Sequence, residues 1–143
     1  MPIDPTDQAW LERFLRDHGG IAGTVHREVD DDLHVTAAVN IPPPVLAAVT
    51  LVTRGKGMAG LAQVRAEPVQ TCNLQEDSTG RINPMAKLVG GQAAIALPII
   101  ADAGDVRAVV GIAFDHDGEI DGPTVGRLAD GCRTLPPVGG VRP

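Results

Sequence analysis

Two cysteines, Cys72 and Cys132, are the only thiols in this chain of 143 residues. A thiolate is the strongest nucleophile and redox group the sequence offers. Their separation matches no zinc or thioredoxin-like spacing. Cys72 is read either as a small buried residue at a strand end or as a thiol that senses oxidation, and a Cys72–Cys132 disulfide stays open beside both. A second set comprises His26, His34 and Glu28. In an alternating hairpin they share one sheet face, where two imidazoles and a carboxylate suit a transition metal. Ordinary hydrogen-bonded sheet residues are the plainer reading, so no metal is assigned. Asp115-His116-Asp117-Gly118-Glu119 has the look of half a calcium loop. It lacks the first Asp and the distal Glu, and is read as an acidic turn. Gly55-Lys56-Gly57-Met58-Ala59-Gly60 fits G-x-G-x-x-G. A dinucleotide fingerprint needs a strand before it, whereas a helix precedes this one.

Composition narrows the ligands further. Trp10, Phe14 and Phe114 are the only aromatic residues besides histidine, and there is no Tyr. That argues against aromatic platforms for bases or cation cages. A net charge of −6 weakens any case for nucleic acid. No apolar run approaches the roughly 20 residues of a membrane-spanning helix, and the start, Met1-Pro2-Ile3-Asp4-Pro5, is no secretory signal. The expectation is a soluble, reduced, cytoplasmic protein with no membrane partner.

The elements that must position these residues follow from periodicity. Asp4 caps and Pro5 opens a helix over 5–18, with Trp10, Leu11, Phe14 and Leu15 on one stripe and Gly19-Gly20 after it. Two strands, 21–29 and 33–39, flank an Asp30-Asp31-Asp32 loop, so that Val29 faces Leu33. This register places Val25, Leu33, Val35 and Ala37 on one face, with Arg27 the single discord, and Thr24, His26, His34 and Thr36 on the other. A helix over 45–53 and a shorter one over 58–65 follow, then a strand over 68–72 and a long segment at 73–91. Strands at 92–100 and 106–114 come next, the second expected to be central because it is apolar on both parities. Pro98 marks a bulge or an N–H direction open to solvent. A helix over 122–132 and a disordered tail over 135–143 complete a single domain spanning 1–134.

Several of these segments resemble a GAF domain in order and spacing. They are Arg54-Gly55-Lys56-Gly57-Met58-Ala59-Gly60-Leu61-Ala62, then Glu67-Pro68-Val69 and Asn73-Leu74. Ala94-Ile95-Ala96-Leu97-Pro98-Ile99 and Val109-Val110-Gly111-Ile112-Ala113-Phe114 are similar to the family's paired strands. The resemblance covers about residues 20–114. It implies an α+β fold with a central antiparallel sheet of five or six strands. Terminal helices would lie on one face, and helices and a loop would close a pocket on the other.

The family resemblance also implies a role. GAF domains are sensory modules that bind small molecules, dimerise through their terminal helices and regulate an attached or partner protein. No output domain accompanies this one, so a signalling partner protein is expected, with a homodimer formed through Trp10 and Phe14. The implied ligand-binding residues are Val52, Met58, Cys72, Asn73, Leu74, Ile82 and Met85. Phe114 is the one ring able to approach that pocket, so a small non-aromatic guest is expected and no cofactor. The chain is also distantly similar to the free methionine-(R)-sulfoxide reductases, whose cysteines lie in the glycine-rich turn and the following loop. Met58-Ala59 fills that turn here and 73–91 holds no cysteine, so a thiol-dependent reductase is the alternative and no catalytic residue is assigned. A degenerate scaffold with a closed pocket is the third reading.

Overall fold

Asp4 opens the first helix as its carboxylate accepts from the Thr6 and Asp7 amides at 2.8 and 3.2 Å. In this computed structural model, which describes residues 3–72 and 92–137, helix α1 runs Pro5–His18 and stops at Gly19, φ 73°. Gly19 is one of the few positions where the left-handed backbone itself selects glycine.

Strands β1 (Ala22–Val29) and β2 (Asp32–Val39) form the expected hairpin with a different turn. Asp30 and Asp31 both have positive φ, 51° and 75°, the combination a two-residue type I′ turn requires and Asp tolerates. Val29 therefore faces Asp32 and Arg27 faces His34, one residue off the expected register. A bulge between Val25 and His26 restores it, so that Val25 faces Ala37 and Gly23 faces Val39. This corrects the predicted faces. Leu33 packs with Ala62, Val69, Ala96 and Val109, on the face opposite Val25 and Ala37. His34, paired with Arg27, lies on the other face from its diagonal neighbour His26. The His26/His34 metal pair is thereby dismantled.

Helix α2 (Pro43–Val49) ends earlier than the expected 53, because Leu51–Val52 pairs with His34 and Leu33 as strand β3. The run Val49–Thr53 is rich in β-branched residues that favour such an edge. Helix α3 (Gly57–Arg65), β4 (Val69–Thr71), β5 (Ala94–Ile100), β6 (Val106–Ala113) and α4 (Gly122–Cys132) follow. The antiparallel sheet has the order β3-β2-β1-β6-β5-β4. Strand β6 is central, as expected, and Pro98 sits two residues past Ala96, where β4 has already ended.

Helices α1 and α4 cover one face through Leu11, Phe14, Leu128 and Cys132, packed on Val25, Leu97, Val110 and Ile112. Arg27, the discord in the predicted apolar face, meets Asp7 of α1 there at 2.7 and 2.9 Å. Thr36, the residue displaced by the bulge, donates its hydroxyl to the same carboxylate at 2.6 Å. Burial pushes the Asp7 carboxyl up, but hydrogen bonds from Arg27 and Thr36 and the charges of Arg27 and Arg107 hold it below its ordinary range. The expected tail at 135 is also corrected. Leu135 is buried in the core, and the Pro136 carbonyl accepts from Arg27 at 2.6 Å and from Arg107 at 3.3 Å. Residues 138–143 of that tail lie outside the described residues.

Candidate functional site

The residues that make the site are small. On the sheet face away from α1, β1 presents Ala22 and Thr24, β5 presents Ala94 and Ala96, and β6 presents Gly111 and Ala113. Gly111 pairs with both Thr24 and Ala96, at the centre of this floor. A Cβ there would approach the Thr24 hydroxyl at 3.1 Å. The roof is built by α2 and the start of α3, with Val45, Val49, Met58 and Ala59. Between floor and roof lies a cavity of about 430 Å³, at the small end of the roughly 300–1,000 Å³ range of ligand pockets.

One imidazole punctuates this apolar wall. His26 lines the cavity and is only 3% exposed. Its Nε2 lies 2.7 Å from the Val49 carbonyl. A carbonyl only accepts, so Nε2 carries the proton and donates, closing the C-terminal end of α2. Nδ1 is then the lone-pair nitrogen, and it is buried without a partner. Burial lowers the His26 pKa, against the Val49 hydrogen bond that raises it, and His34 lowers it further. The ring is neutral at neutral pH.

The glycine-rich turn is explained by packing. Gly55 and Gly57 have φ 84° and 63°, and a Cβ on Gly60 would meet the Gly55 backbone at 2.8 Å. These glycines fold the chain tightly into α3, whose first residues Gly57 and Met58 face the cavity beside exposed Lys56. Helix α3 has no side-chain cap at its N-terminus.

Of the expected site residues, Val52 and Met58 line the cavity. Cys72 is an exposed free thiol just past β4 and does not line it. Asn73, Leu74, Ile82 and Met85 lie outside the described residues. Phe114, expected near the ligand, instead packs in the α1/α4 core and stacks on His116 at 5.5 Å. Trp10 and Phe14 are likewise internal. They stack on each other at 4.8 Å, and the Trp10 indole donates to Thr134 at 2.8 Å. At 5% and 4% exposure, they present no surface to a second copy. Cys132 is free and buried, its pKa pushed up to about 12 by burial. Among the described residues, no three His, Cys, Asp or Glu gather to hold a metal.

Sequence reasoning missed the floor itself. The signal was present in the alternation Ala94-Ile95-Ala96-Leu97 and Gly111-Ile112-Ala113-Phe114, small residues toward one face and large ones toward the other.

No family model and no curated protein matches the sequence. Solved structures do match in fold. A type II free methionine-R-sulfoxide reductase from Thermoplasma acidophilum has a TM-score of 0.68 at 14% identity, over 86% of this chain and 82% of that one. The GAF domain of an Acinetobacter phosphoenolpyruvate-protein phosphotransferase gives 0.69 at 14% identity, over 90% and 76%. A GAF domain/HD domain protein from Geobacter sulfurreducens gives 0.68 at 11% identity, over 92% and 89%. The chain has a GAF-like α+β fold. A reductase and the GAF domains of other proteins share that fold, so function must be argued from the site.

Proposed function

We propose that this chain is a small-molecule-binding regulatory module, not an enzyme. The observation that carries this reading is the cavity of about 430 Å³ between the alanine and glycine floor and α2/α3. A mostly apolar concave space of this size is of the kind in which small ligands bind. The alternative, a thiol-dependent sulfoxide reductase, requires a thiolate against the substrate. No cysteine lines this cavity, and Cys132 is buried with its pKa pushed up to about 12. No Trp or Phe lines it either, which favours an aliphatic guest.

Regulation then acts on a partner protein or a second copy, in keeping with the role the GAF resemblance implies. A dimer would use the exposed residues of the α1/α4 layer, since Trp10 and Phe14 are internal. A cytoplasmic setting belongs to the same proposal. Among the described residues, no helix is long and apolar enough to cross a membrane.

Native mass spectrometry of the purified chain, followed by a thermal-shift screen of non-aromatic metabolites, tests the reading. A retained or stabilising compound that Ala113→Val displaces is the expected result. Thiol-driven turnover of free methionine-R-sulfoxide that vanishes in Cys72→Ser would establish the reductase instead. A cavity that takes no compound would leave the closed scaffold.

A further inference from the structure

Thr24 puts a hydroxyl on the floor of the cavity. It stands directly opposite Gly111 in the β1–β6 ladder, and both residues line the cavity. A Cβ built on Gly111 would come within 3.1 Å of Thr24 Oγ1, so the oxygen leans across the strand pair over the missing side chain. Among the described residues this oxygen has no hydrogen-bond partner. It is not sealed in either: the unpaired side-chain atoms without accessible surface there are His26 Nδ1, Arg27 Nη1 and Gln63 Oε1. The Thr24 hydroxyl is thus an open, uncommitted donor and acceptor in the middle of a largely apolar floor.

Its surroundings decide what group it can receive. Ala22 on β1, Ala113 on β6 and Ala96 beyond Gly111 offer no polar side-chain atom. The backbone between them is engaged in the β1–β6 and β5–β6 ladders. A polar atom resting over Gly111 therefore meets one hydroxyl and hydrocarbon. A neutral oxygen is satisfied by that single hydrogen bond. An ionised head would exchange most of its hydration for it, which apolar surroundings make costly.

From this arrangement we infer that Thr24 is the polar anchor of the cavity and that its guest is a short aliphatic molecule with a neutral oxygen head, a ketone or an alcohol. The head meets the Thr24 hydroxyl over Gly111. The alkyl chain lies between the alanine floor and Val45, Val49 and Met58. Gly111 is the specificity element, because a side chain there would stand where the ligand oxygen must come. This rests on the small-molecule reading and specifies its ligand class.

Methyl NMR titrations of the full chain at neutral pH, read at Met58, test this with three probes. Two of them, 5-methylhexan-2-one and 4-methylpentanoate, share one shape, a methyl group of the ketone replacing a charged oxygen of the acid. The third, xenon, reports an apolar cavity without any hydrogen bond. The ketone binds, and the carboxylate is weaker by about tenfold or more. Thr24→Val keeps the shape of the side chain and weakens the ketone by about three- to tenfold, the loss expected for one hydrogen bond. Thr24→Ser retains the affinity, and Gly111→Ala lowers it as the valine does, while xenon still shifts Met58 in all three variants. Ketone affinity that Thr24→Val leaves unchanged overturns the anchor. A carboxylate that binds as tightly as the ketone, or xenon shifts without ketone binding, overturns the ligand class and leaves the cavity reading intact. Neither xenon nor ketone shifting Met58 overturns both.

Discussion

The two faces of the sheet are made from alternate residues of the same strands, yet they are built to opposite ends. Toward α1 and α4, β5 and β6 present Ile95, Leu97, Ile99, Val110 and Ile112, all at most 4% exposed and packed into one core. Toward α2 and α3 the intervening residues are Ala94, Ala96, Gly111 and Ala113. A sheet needs only one well-filled face to hold its register. The helix face carries the stability, and the other face is free to give up volume. The cavity is therefore made by subtraction, through small residues at four positions of the regularly paired stretch of β5 and β6.

The largest expected effect tests the filled face. Asp7→Ala removes the partner of Arg27 inside that layer, where the two side chains are 2% and 8% exposed. Stranding a buried guanidinium costs about 3–5 kcal/mol, read as a lower midpoint in denaturant unfolding. The same pair gives the wild type an acid limit. The folded Asp7 pKa lies below the ordinary 3.8, so its contribution is present above that value and is lost as pH falls through the folded one. Next in size, Leu97→Ala opens a void in the same core and costs about 2–5 kcal/mol.

How much of this contrast was legible in the sequence depends on the range of the interaction. The α1 boundaries follow from Asp4, Pro5 and Gly19, local capping signals three residues or fewer from the helix ends. Centrality of β6 follows from apolar residues on both parities. The register of the first hairpin was half legible. Three consecutive aspartates do not reveal that Asp30 and Asp31 alone make the turn, nor that Thr36 bulges to reach Asp7. Those choices are set by an ion pair that spans 20 residues of chain. Leu51–Val52 was hidden for the same reason, since an edge strand of two residues exists through its partner β2. The floor was legible in Ala94–Leu97 and Gly111–Phe114 once large and small, in addition to polar and apolar, were compared.

Ala113→Val breaks the comparison from the other side. It adds two methyl groups to the subtractive face, into a cavity that has room for them. Stability should change by no more than about 1 kcal/mol, against the 1–3 kcal/mol that overpacking a filled core costs. Binding should be lost. A destabilisation as large as that of Leu97→Ala would mean that the two faces are packed alike, and calorimetry with denaturant unfolding on both variants decides it.

The smallest effect concerns His26, a polar group buried in the subtractive face. His26 is neutral when folded because burial lowers its pKa below the ordinary 6.5. In the unfolded chain it titrates near that ordinary value. Above about pH 6.5 both states are neutral and the group adds no pH dependence. As pH falls below 6.5 the unfolded state takes up the proton first, so stability declines until the folded pKa is reached. His26→Gln removes this titration while a side-chain amide can still donate to the Val49 carbonyl. The stability profiles of wild type and His26→Gln should therefore run parallel above pH 6.5 and diverge below it, the wild type falling faster. Profiles that stay parallel down to pH 5 would mean that folding leaves the titration of His26 unchanged, and that burial does not keep the ring neutral.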